Sequence, residues 1–87
     1  MAYQVLIKGS ARKELAALSL PLQKRIDTRI RALSENPRPN GVTKLAGDEN
    51  LYRIRVGDYR IIYQIQDKAL LVLVIKIRHR REVYRKR

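Results

Sequence analysis

The stretch Leu51-Tyr52-Arg53-Ile54-Arg55-Val56-Gly57-Asp58-Tyr59-Arg60-Ile61-Ile62-Tyr63-Gln64-Ile65-Gln66 decides the fold. Apolar residues recur at every second position on both sides of Gly57-Asp58, the pattern of two half-buried strands. Gly57-Asp58 fits a two-residue hairpin with glycine at its first turn position. Side chains alternate across a strand, so Tyr52, Ile54 and Val56 share one face and Leu51, Arg53 and Arg55 the other. In the second strand Tyr59, Ile61, Tyr63 and Ile65 point inward, and Arg60, Ile62, Gln64 and Gln66 outward.

Outward from this hairpin, Asp67-Lys68 reads as another turn and Ala69 to Arg78 as a further strand. Continuing the alternation puts Leu71, Leu73, Ile75 and Ile77 inward and Val72, Val74, Lys76 and Arg78 outward. Arg80 to Arg87 is a basic tail or short helix with Val83 and Tyr84 as its apolar pair. Toward the N-terminus, Tyr3 to Ile7 reads as a strand, and Ser10 as the cap of a helix in which Ala11, Leu15 and Leu18 face inward opposite Arg12, Lys13 and Glu14. After a break at Ser19-Leu20, Pro21 suits a first helical turn, and Leu22, Ile26, Ile30 and Leu33 make an apolar stripe. Pro37 ends this helix, and a loop runs to about Asn50. The order β-α-α-β-β-β implies an α+β domain over residues 1–87, with a helical hairpin on one face of a largely antiparallel sheet. The other face is left for a ligand.

Composition narrows what that ligand is. The chain has 20 Lys and Arg against 8 Asp and Glu, a formal charge of +12, which points to a polyanion or an acidic protein as partner. Without cysteine there is no disulfide scaffold, thiolate zinc site or thiol nucleophile, and a single histidine cannot form an imidazole cluster. No cofactor or metal is expected. Hydrophobic residues at 45% support a packed core rather than a disordered tail. The longest apolar run, Ala69 to Ile75, is strand-length, and the N-terminus lacks a signal-peptide pattern, so neither a membrane nor export is expected and the cytoplasm is the expected location.

The outward positions bring Arg53, Arg55, Arg60, Lys76 and Arg78 together from separate strands. A solvated sheet face is the plain alternative, and for Arg60 an ion pair with Asp58 or Asp67. Arginine stays charged at neutral pH and presents planar paired donors matched to phosphate, whereas solubility alone is met as well by Lys or Glu. His79 follows the cluster, and histidine is the side-chain type best suited to exchanging a proton near neutral pH. Tyr84 either pins the tail or offers a phenol for stacking or proton transfer. Glu49 and Glu82 read as surface residues.

Leu51 to Ile65, the hydrophobic strand after it, and Ile77-Arg-His-Arg-Arg-Glu-Val-Tyr84 together resemble the RelE branch of the RelE/ParE toxin superfamily. Ala2-Tyr3, the helical hairpin and Lys44-Leu45 extend the resemblance over essentially the whole chain. It implies a type II toxin that enters the ribosomal A site, cuts mRNA there, and is held inactive in a hetero-oligomer with an acidic RelB-type antitoxin. Arg53 and Arg55 match two basic positions that are usually lysines in the best-known branch, Arg60 the arginine after the hairpin tyrosine, Arg78 the arginine ending the last strand, and Tyr84 the tail tyrosine. The implied chemistry is metal-independent attack of a ribose 2′-OH on the adjacent phosphate. Arg60 and Arg78 would clamp that phosphate, Tyr84 or His79 would transfer a proton, and Arg53, Arg55, Lys76, Arg80 and Arg81 would bind flanking RNA. The alternatives are a ParE-like inhibitor of DNA gyrase and a non-catalytic RNA-binding module.

Overall fold

The hairpin at Gly57 sits in the middle of a five-stranded sheet. A computed structural model describes residues 2–45, 47 and 50–79. The elements are β1 (Gln4–Ile7), α1 (Gly9–Ala16), α2 (Leu20–Ala32), β2 (Thr43–Lys44), β3 (Leu51–Val56), β4 (Tyr59–Gln66) and β5 (Leu71–His79), in sheet order β1-β5-β4-β3-β2. β3, β4 and β5 form an antiparallel meander, β2 adds antiparallel to β3, and β1 lies parallel to β5. The helical hairpin between β1 and the meander provides the crossover that parallel pairing requires.

Both helices cover one face. Ala11, Ile26, Ile30 and Leu33 from the helical side meet Tyr52, Ile54, Val56, Ile61, Tyr63 and Ile65 of the sheet in one buried core. Tyr63 is fully buried, and its hydroxyl donates to the Pro37 carbonyl at 2.7 Å, which satisfies the polar end of an otherwise apolar side chain. Burial pushes its phenol up to about 12.

Four details depart from the sequence expectation. α1 starts at Gly9, with Ser10 inside it and Lys8 at the cap, and no side chain caps that end. The loop before Asn50 contains the two-residue β2, whose Thr43 and Lys44 pair with Arg53 and Tyr52. The turn after β4 runs through Leu70, which has a φ of 51° and donates its N–H to the Asp67 carbonyl at 3.1 Å, so it is longer than two residues.

The fourth departure changes which side chains are in the core. Val72 and Val74 are fully buried, while Leu71 and Leu73 lie on the outer face and are only partly covered, the reverse of the expected phase. The cause is a β-bulge: Tyr63 pairs with Val74 but Ile62 pairs with Lys76, leaving Ile75 as the extra residue. One inserted residue inverts the alternation on its N-terminal side. On the other side Ile77 is buried, and Lys76 and Arg78 face outward as expected.

Candidate active site

The ladder registers assemble the site. Arg55 pairs with Arg60 across β3 and β4, and Arg60 pairs with Arg78 across β4 and β5. Directly paired residues project from the same face, so three arginines form one row over adjacent strands, with neighbouring Cα atoms about 5 Å apart. In the next row Arg53 and Lys76 flank Ile62 on the same face. All five cations read from the alternation of β3, β4 and β5 therefore lie together on the face away from the helices.

The row is graded in exposure. Arg55 is exposed, Arg78 is half-buried, and Arg60 in the middle is 7% exposed, the one buried charged residue among those described. Like charges opposite one another on a sheet repel, and an anion held between them relieves that repulsion. The row is thus suited to a phosphate oxygen or a phosphate-like transition state. Asp67, one of the acids weighed as an ion-pair partner for Arg60, accepts from Tyr3 at 2.7 Å and from Arg38 at 2.8 Å.

His79 falls elsewhere. It pairs with Tyr59, packing edge-on against that ring at 5.1 Å between centroids, on the helix side with Ile77. It follows the cluster in sequence but projects from the opposite face. Arg80, Arg81, Tyr84, Glu82 and Glu49 lie outside the described residues.

Sequence reading missed four charged side chains that pack around the sheet. Glu14 of α1 reaches β5: its Oε1 accepts the Ile77 N–H at 2.8 Å and its Oε2 lies 3.1 Å from Arg78 Nε. A helical wheel carries the signal, since Glu14 stands three residues after the buried Ala11 and so flanks the apolar stripe. On α2, the Arg29 guanidinium donates to the Arg55 carbonyl at 3.4 Å and Arg25 lies over Gly57, adding positive charge around the hairpin. These contacts span more than 25 residues and have no local signature. At the other end of the sheet, Arg38 holds Asp67 in a fork at 3.2 and 2.8 Å and stacks over Tyr52 at 5.1 Å, with its Nε 3.2 Å from the Tyr52 hydroxyl. Arg38 first and Tyr3 second hold the Asp67 carboxyl down to about 2, while the same Asp67 contact raises the Tyr3 phenol. No three of His, Cys, Asp and Glu cluster among the described residues, and no helix there is long and apolar enough to cross a membrane.

The fold and this cationic face can be set beside known proteins. The profile of a family described as ParE toxin of type II toxin-antitoxin system, parDE, matches residues 5–84. The chain belongs to the RelE/ParE superfamily of type II toxins. Within this superfamily, the mRNA interferase toxin RelE of Escherichia coli K12 is 32% identical over 97% of this chain and 92% of its own. The archaeal RelE–RelB complex from Pyrococcus horikoshii OT3 contains a chain that superposes with a TM-score of 0.82 at 33% identity, covering 92% of this chain and 97% of that one. The isolated E. coli RelE toxin superposes with a TM-score of 0.79 at 28% identity, over 90% and 84%. These relatives place the toxin in the RelE branch, as the resemblance of its strands and tail implied, and share its α+β architecture.

Proposed function

We propose that this RelE-family toxin is a ribosome-dependent endoribonuclease that cuts mRNA in the A site without a catalytic metal. The observation that carries the reading is the row Arg55, Arg60, Arg78 across three adjacent strands. In the reaction a ribose 2′-OH loses its proton and attacks the neighbouring phosphorus, and the bond to the 5′-oxygen breaks. That oxygen takes a proton, leaving a 2′,3′-cyclic phosphate and a 5′-OH. Negative charge grows on the non-bridging oxygens, and fixed guanidinium donors aimed there lower the barrier. Arg60 and Arg78 serve as this clamp, while Arg53, Arg55 and Lys76 bind the adjoining backbone. Tyr84, which the resemblance matches to the tail tyrosine, is the proton-transfer group of this reading; His79, the alternative, pairs with Tyr59 and packs against its ring on the helix side of the sheet.

An acidic RelB-type antitoxin is the partner that holds the toxin inactive. Relatives from P. horikoshii and E. coli are seen in RelE–RelB complexes, and the +12 charge suits an acidic protein. The cytoplasm, where ribosomes translate, is the site of action.

Incubation with programmed ribosomes tests the activity. Mapped mRNA 5′ ends should fall at codon positions in the A site, carry 5′-OH groups, and vanish when the attacking ribose is 2′-deoxy. The profile match to ParE favours gyrase inhibition as a second reading. Intact mRNA together with blocked supercoiling would support that reading instead.

A further inference from the structure

We propose that Glu14 is the positioning residue for Arg78. This inference rests on Arg78 acting in the phosphate clamp. β1 pairs with β5 only as far as Val74, because the chain turns into α1 after Ile7. Beyond Val74 no strand among the described residues lies on the β1 side of β5, and the N–H groups of that edge need other acceptors. Glu14, projecting from α1, meets that need at Ile77: Oε1 accepts the backbone N–H at 2.8 Å.

The same carboxylate turns its second oxygen to Arg78, whose Nε is shielded from solvent 3.1 Å away. The N–H is not aligned along that line, so the contact is an ion pair without a directed hydrogen bond. Among the described residues Arg78 has no other ion-pair partner. One carboxylate therefore fixes both the backbone just before Arg78 and the inner end of its guanidinium. A long, flexible side chain loses much of its rotamer freedom before substrate arrives, and its terminal amino groups are left to meet the anion. Opposite charge beside Nε also offsets the repulsion of placing Arg78 next to Arg60.

A double-mutant cycle on ribosomal mRNA cleavage tests the assignment. Glu14→Gln keeps an oxygen for the Ile77 N–H but removes the charge facing Arg78. Its single-turnover rate should fall about 10-fold, with half-saturating ribosome concentration and melting temperature nearly unchanged. Arg78→Ala should lose roughly 100-fold. In the Arg78→Ala background, Glu14→Gln should have no further effect, since it acts through the arginine. A wild-type rate for Glu14→Gln, or an equal 10-fold loss in both backgrounds, would overturn the role of Glu14 while leaving the clamp intact. An Arg78→Ala enzyme that cleaves normally would instead overturn the clamp, and with it this assignment.

Discussion

Asp67 ties three distant segments through its contacts with Arg38 and Tyr3. Its carboxyl ordinarily titrates at 3.8 and is lowered to about 2, mainly by the Arg38 hydrogen bonds. A depressed carboxyl contributes stability that is complete above its unfolded pKa and disappears as pH falls through the folded one. The urea midpoint of the wild type should therefore exceed that of Asp67→Asn at neutral pH, and the gap should close between about pH 4 and pH 2. A gap that stays constant over that window would mean the network acts through shape alone. Residue identity showed which cations could gather, because Arg53, Arg55, Arg60, Lys76 and Arg78 occupy outward strand positions. It did not show what holds them. Glu14 flanks the apolar stripe of α1, but its contact with Arg78 becomes visible only in the packing of α1 against the edge of β5.

Elements were legible wherever the alternation was sharp. β3 and β4 alternate polar with apolar residues, and their faces came out as expected from sequence. The apolar run Ala69 to Ile75 contains no polar residue to mark a phase, so nothing local reveals the bulge at Ile75. The two-residue β2 escaped detection because it is too short to show any period. The hairpin that aligns Arg55 with Arg60 depends on Gly57, whose φ of 61° lies in the left-handed region. A Cβ there would meet the Arg25 guanidinium at 3.6 Å, an ordinary contact, so any penalty comes from the backbone. Gly57→Ala should destabilise the protein by about 1–2 kcal/mol and Gly57→Asn by less, read from urea midpoints. Equal stability of the alanine variant and wild type would show that the turn tolerates another geometry.

Across the whole molecule, the formal charge of +12 and the one-sided helical layer divide the labour between stability and binding. Helices and inner sheet residues make the core, while the outer face keeps its cations close together. Attraction to an acidic antitoxin is screened by salt, so its dissociation constant should rise about 10-fold or more between 0.1 and 0.5 M NaCl in a calorimetric titration. An affinity that does not change would mean apolar contacts dominate the complex. The claim on which the functional account rests is that arginines from separate strands stabilise one reacting phosphate. It is tested most directly by comparing wild type with Arg60→Ala in single-turnover cleavage of mRNA on programmed ribosomes. Binding is measured in parallel on ribosomes whose mRNA carries a 2′-deoxy ribose at the cut site. The prediction is a rate lower by roughly 100-fold with binding reduced far less. An unchanged rate, or a loss of binding large enough to explain the whole fall in activity, would contradict the account.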